Sequence, residues 1–237
     1  MVLKLLLCVL CGLCGQFLTT GCADKDKDVT IRFLRSETYT FSRADRRLIS
    51  GIARSTLAEV RGLLPGVPAH IEVTVRPSRD VTPETGETGD AMPPNGVMFT
   101  VDPSRPGGVA AITKAWLRPF LFHEIHHLVR YAAESPSSLV EHAVTEGMAT
   151  AFKRDFAGVT APWGLYPGDV AKWATELESV PAGSPRNQWM FKHHDGRRWI
   201  GYKVGTYWVD QAKSKTGQSA ADLVRVPTSE ILSMASR

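Results

Sequence analysis

Cysteine is missing from residue 23 to the C-terminus: Cys8, Cys11, Cys14 and Cys22 are all four that the chain has. A domain without them cannot be stapled by disulfides and cannot hold a structural zinc through thiolates. It must be held together by its core, and about 215 residues is ample for one. A strong charge imbalance is also missing. Lys and Arg number 28 against 24 Asp and Glu, a formal +4 that falls to +3 (4 − 1) if a leader carrying Lys4 is removed. With no long basic run besides, nucleic-acid binding is not expected. The chain has one long apolar run, Leu5 to Leu18, and it is shorter than the roughly 20 residues a bilayer span requires. No internal repeat is visible, and nothing beyond residue 28 divides the chain in two.

The N-terminus has the features of a targeting segment. Lys4 supplies a short positive region, and the apolar run follows it with Gly12 and Gly15 inside. The run ends in Leu18-Thr19-Thr20-Gly21-Cys22, which resembles the lipobox of bacterial lipoproteins, with Thr19 where that pattern prefers leucine. The resemblance implies a signal peptide over 1–21, a lipidated Cys22 and a charged tether over 22–28. Residues 29–237 would then be a single domain, exported and held on a membrane of the bacterial cell envelope.

Alternation predicts strands at Val29–Leu34, His70–Arg76 and Gly96–Pro103. Between the first two, Ser42 and Asp45 form a capping pair for a helix whose apolar stripe runs Ile49, Ile52, Ala53, Thr56, Val60, Leu63 and stops at Leu64-Pro65-Gly66. Pro77 to Asn95 is rich in proline and in acidic or hydroxyl side chains and is expected to be a surface loop. The strand after it is either an ordinary strand of the sheet or an edge for pairing an extended peptide by main-chain hydrogen bonds. His70, at a strand head, is expected to be a surface histidine and no ligand.

The chemistry is concentrated in Pro119–Arg130. His123, Glu124 and His127 spell H-E-x-x-H. On a helix, residues four apart stack about 6 Å apart along the axis, so both imidazoles can reach one metal ion. Glu124, one step round, can hydrogen-bond a water on the ion's open side and take its proton. Phe120, Leu121, Phe122, Ile125, Leu128 and Val129 would bury this helix on nearly every side, so its polar groups need partners, and a metal would supply them. The next helix opens at Ser138 with Glu141 three residues on, a capping box. Glu141 and Glu146 sit about 140° apart round that helix, so both cannot face one ion. Glu141 is spoken for by the cap, and Gly147 would let backbones approach at Glu146. Glu146 is therefore the expected third ligand. His126 lies off the ligand face, His142 could hydrogen-bond Glu146 or be exposed, and Arg130 could pair with Glu134.

This arrangement resembles the gluzincin metallopeptidases, whose third zinc ligand is a glutamate on the following helix. A more specific likeness is to a family of predicted zinc-dependent bacterial proteases. Its members share the His-Glu-x-His-His-x-x-Arg form found at His123 to Arg130, the Glu-Gly-x-Ala step at Glu146 to Ala149, and a later Gly-Tyr-x-x-Gly, here Gly201 to Gly205. The resemblance spans roughly residues 96–206. It implies an α+β, zincin-like fold, with a small N-terminal β-sheet packed on a helical domain that carries the metal site, and it implies peptide hydrolysis. Many gluzincins carry an acidic residue four after the third ligand. Here that place is Thr150, so the partner of the zinc histidines is left open.

In the C-terminal third, a short helix should present Val170, Trp173 and Leu177 on one face. Gln188–Trp199 has the turn Asp195-Gly196 of a hairpin, with His193 and His194 at an exposed tip. Tyr202, near the start of a helix ending by Lys215–Gly217, is either an oxyanion donor or a core tyrosine. A histidine of the 193–194 hairpin is the other candidate donor. Two short helices should flank Pro227. The expectation is a zinc peptidase: His123, His127 and Glu146 holding Zn²⁺, Glu124 as general base, and a peptide or protein as substrate. The alternatives are a lipoprotein with zinc in a purely structural or binding role, and a metal hydrolase acting on a non-peptide bond. Substrate specificity and oligomeric state are not encoded in any recognisable signal.

Overall fold

The computed structural model describes residues 24–25 and 28–236. The expected signal peptide and the candidate lipidation site Cys22 lie outside them. Among the described residues no helix is long and apolar enough to cross a membrane.

The fold is α+β. β1 (Asp24–Lys25) is a two-residue strand from the expected tether, antiparallel to β2 (Val29–Phe33). Helix α1 (Arg43–Leu63) starts on the Ser42–Asp45 capping box foreseen from sequence, with each side chain bonded to the other's backbone N–H. Its buried stripe is Ile49, Ala53, Thr56, Leu57 and Val60, while Leu63 reaches the surface. β3 (Ile71–Pro77) then pairs parallel to β2.

Residues 77–95 are not simply a loop. They contain β4 (Glu87–Met92), which pairs antiparallel with β5 (Gly96–Val101), while β5 pairs parallel with β3. The order is β1-β2-β3-β5-β4. The candidate free edge, β5, is thus internal, and the edge beside the helices is β4. Glu-Thr-Gly-Asp-Ala-Met has poor strand propensity. It is held extended by its neighbour, which is why composition concealed it.

Next comes one continuous helical path: α2 (Gly108–Ile112), a π-helical segment (Thr113–Leu117) and α3 (Arg118–Ala133). Pro119 near the start of α3 has no N–H to give and would clash with the carbonyl four residues back. The wider π segment immediately before it absorbs that mismatch. From Phe120 to Arg130 every residue of α3 is buried.

Helix α4 (Leu139–Ala157) begins on the Ser138–Glu141 capping box and ends at Gly158 in the left-handed conformation. α5 (Val170–Glu178) and the short α6 (Arg186–Met190) follow. The expected hairpin over Gln188–Trp199 is reduced to a single bridge, Lys192–Arg198, because its first arm is taken up by α6. α7 (Ile200–Thr216) packs along α4, and a 3₁₀ turn (Asp222–Arg225) and α8 (Thr228–Ser236) flank Pro227 as expected.

α4 and α7 touch backbone to backbone. A Cβ on Gly147 would lie 2.1 Å from the Gly205 carbonyl carbon, and one on Gly205 would lie 1.7 Å from the Ala143 carbonyl oxygen. Neither neighbour is a side chain that could swing aside. This contact holds Tyr202, at the start of α7, over Glu146. Gly205→Ala should therefore cost at least about 1–3 kcal/mol, as overpacking does. Gly51→Ala, in α1 with open space around it, should gain about 0.4–1 kcal/mol. Urea denaturation of both variants checks this, and a neutral Gly205→Ala would mean that the two helices are not so closely fixed.

Candidate metal centre

Three side chains from two helices meet at one point. His123 Nε2 lies 3.0 Å from His127 Nε2, and Glu146 Oε2 lies 3.1 Å and 3.2 Å from them. His123 and His127 owe their position to the four-residue spacing on α3, and Glu146 to the packing of α4 beside it. The three are the described residues' one His/Cys/Asp/Glu cluster of metal-binding geometry.

The arrangement fits a cation better than it fits hydrogen bonding. Two neutral imidazoles can bring at most two protons to a triangle of three contacts. Each corner also has a lone pair to offer an ion. Ligand atoms about 2.0–2.1 Å from a tetrahedral zinc stand roughly 3.3–3.4 Å apart, within a few tenths of an ångström of what is seen. Nitrogen and oxygen donors of this kind suit zinc.

The electrostatics follow from burial. His123 is pushed down to about 4, by desolvation above all, despite the carboxylate beside it. For His127 burial acts the same way, but the Glu146 carboxylate outweighs it and the net shift is upward. Burial would raise Glu146, yet the two imidazoles hold it well below the usual carboxylate range. Glu124 is held up to about 8 by burial, helped by Glu146, Asp90 and Glu87 and opposed by His127. A carboxylate with its affinity near neutrality is suited to taking and returning protons.

Two cavities meet at this point, and His123, Glu124, Gly89, Asp90, Phe191 and Tyr202 line both. β4 thus runs along the site. A Cβ on Gly89 would lie 1.9 Å from the Met98 carbonyl oxygen and 2.5 Å from the Phe120 ring, so only glycine fits there. Burial first, then Glu146 and Glu124, raises Tyr202 well above the ordinary tyrosine range, so its hydroxyl keeps its proton and can donate it to a hydrogen bond.

The remaining candidates do not join the cluster. Glu141 is consumed by the cap, where it accepts from Ser137 and Ser138. His142 faces the Arg186 guanidinium at 3.2 Å and leaves Glu146 to the imidazoles. His70 is half-buried and lines neither cavity. His193 is not at an exposed tip. It is buried against Trp189, with Nδ1 2.9 Å from Asp195, and like His194 it lines neither cavity, so the hairpin offers no oxyanion donor. Thr150 is no partner for the histidines, because its buried hydroxyl, like Nδ1 of His123 and of His127, has no hydrogen-bond partner among the described residues.

His126 and Arg130, the other polar members of the α3 motif, reach the C-terminal segment. The His126 ring nitrogen Nε2 donates to the Ala220 carbonyl at 3.4 Å. The fully buried Arg130 donates to the carbonyls of Val224 and Val226, to Thr228 Oγ1 and to Glu134, which also accepts from the Thr228 N–H. The tail therefore braces the metal-site helix and does more than fill space. Two residues near the site escaped sequence analysis. Tyr131 stacks on His127 at 5.3 Å, and Lys153 lines the cavity beside His123. Their signal was spacing, four after His127 and seven after Glu146, on the same helical faces.

A family model described as Predicted Zn-dependent protease (DUF2268) matches residues 49–233. No curated protein matches the chain.

Zinc titrated into metal-free protein should raise its melting temperature, by about 2.7 kcal/mol of added stability at a hundredfold excess over Kd. His123→Ala, His127→Ala and Glu146→Ala should each remove most of that response. A Glu146→Ala protein that bound zinc as tightly as its parent would exclude the carboxylate from the site.

Proposed function

The chain belongs to the family of predicted Zn-dependent proteases, and from that premise we propose that it hydrolyses peptide bonds at the point where His123, His127 and Glu146 converge. The observation that carries this is the triangle of donor atoms, with Glu124 on the adjoining turn and a cavity open on both sides. His123, His127 and Glu146 would hold the zinc. When bound, such an ion supplies Lewis-acid chemistry, acidifying a water toward neutral pH and polarising the carbonyl under attack.

The chain's own residues do the rest. Glu124 accepts the proton of the attacking water on its carboxylate and later passes it to the leaving nitrogen. The Tyr202 hydroxyl, still protonated, donates to the oxyanion as it forms. The free edge of β4 at Gly89–Ala91 pairs with the backbone of an extended substrate, so that the scissile bond lies along α3. Burial of α3 and the aromatic side chains of Phe191 and Tyr202 exclude bulk water from Glu124.

The N-terminal segment supports an exported protein tethered by lipid on Cys22, since the sequence around it resembles a lipobox.

Four outcomes are expected. A chelator should abolish cleavage of a mixed peptide library, and added zinc should restore it. Glu124→Gln should keep the metal and lower kcat by several orders of magnitude, whereas Tyr202→Phe should lower kcat by about 10²–10³ with KM little changed. Near-full activity in Glu124→Gln would refute its role as the base. Cys22→Ser should move the protein from the membrane to the soluble fraction, and unchanged membrane association would exclude a lipid on that sulfur.

A further inference from the structure

We propose that the aromatic cavity beside the metal centre is a subsite for a carboxylate of the substrate, recognised by Lys153. The proposal rests on peptide hydrolysis at the adjoining site. Lys153 stands on α4 two turns beyond Glu146, on the same face, and is only 2% exposed. Its ammonium lies 4.9 Å from the centre of the Trp163 ring and 5.6 Å from that of Trp116. Among the described residues it has no hydrogen-bond acceptor and no carboxylate at ion-pair distance. A buried charge is normally paired, and a cation over ring faces is only partly compensated. Lys153 faces a cavity of about 150 Å³, walled by Phe120, Trp163 and Trp199. A cavity of roughly that size holds a ligand about as large as benzene. That is room for one side chain or one chain end.

The acidic groups around it are arranged to leave this charge available. Asp90 and Glu124 line both cavities and so stand at their border, by the metal centre. Glu87 lines the aromatic cavity alone and is 4% exposed. Burial, acting against the attraction of Lys153, shifts Glu87 toward its neutral form. Glu87 shifted in this direction is a weaker counter-ion to Lys153 than an ordinary carboxylate would be. The ligand is then an acidic side chain next to the scissile bond, or the substrate's own C-terminal carboxylate. Both present the same chemistry to Lys153.

The test uses zinc-loaded mature protein carrying Glu124→Gln, and calorimetry with peptides identical but for Glu, Gln or Leu beside the expected scissile bond. Each peptide is made with an amidated and with a free C-terminus. The Glu peptide, or the free-terminus form of the Gln peptide, should bind about tenfold or more tighter than the amidated Gln peptide. Which of the two does so identifies the source of the carboxylate. In Lys153→Met the preference should collapse to within about twofold, with zinc content and circular dichroism unchanged. Should Lys153→Met fail to fold, the Glu against Gln comparison in the Lys153 protein decides alone. Equal binding of all peptides, or a carboxylate preference that survives Lys153→Met, overturns the proposal. Cleavage by the unmodified protein is measured in parallel. A carboxylate preference without cleavage would keep the subsite and reject peptide hydrolysis, and cleavage without preference would do the reverse.

Discussion

The structure depends on holding a carboxylate against two imidazoles out of water. Glu146, His123 and His127 would each be better solvated apart, and bringing them within 3.0–3.2 Å of one another has to be enforced by everything around them. The enforcement comes from two sides. α3 is buried along its whole central length, so the imidazoles cannot turn to solvent. α4 is pinned by the backbone contact of Gly147 with Gly205, which leaves Glu146 no other direction. Polar groups concentrated in this way are costly without a cation and stabilising with one. The fold therefore gathers at one point a donor set that a cation would stabilise.

The C-terminal segment contributes to that enforcement. Arg130 is one turn beyond His127, and the two terminal nitrogens of its buried guanidinium donate to the carbonyls of residues 224 and 226, to Thr228 and to Glu134. A buried guanidinium bonded at both terminal nitrogens contributes little net stability compared with an apolar residue, but it restricts the geometry it tolerates. That restriction fixes the rotation of α3 about its axis, and with it the direction of both imidazoles. The second histidine of the motif acts alongside it through the Ala220 carbonyl. The remaining polar residues of the extended motif, His126 and Arg130, are thus accounted for by contacts to the tail.

Much of this was legible in the sequence because it is local. Two capping boxes, the start of α1, the turn before α4 and the four-residue spacing of the imidazoles follow from backbone geometry within a few residues. Glu146 was legible by exclusion, since the cap had already claimed Glu141 and the two lie on different faces. What could not be seen was non-local. β4 is a strand only because β5 lies beside it. The burial of His193 depends on Trp189 and on a turn whose Asp-Gly signal ordinarily marks exposure. Lys153 is an unremarkable basic residue in a helix until Trp116 and Trp163 close over it.

The charges around the cleft also constrain each other. Glu87, Asp90, Glu124 and Glu146 are four carboxyl groups within one pair of adjoining cavities, and four full negative charges at such range would repel strongly in a low dielectric. The structure separates them by partner. The imidazoles keep Glu146 ionised, burial lifts Glu124 and Glu87 toward their neutral forms, and Asp90 remains exposed to water. A divalent ion at the triangle would fall beside Glu146 and Glu124, the pair most in need of it. Lys153 stands on the far side of the same cluster, over Glu87. Positive charge would then bracket the four carboxyl groups from both ends, as entry of an anionic group into the cleft would require.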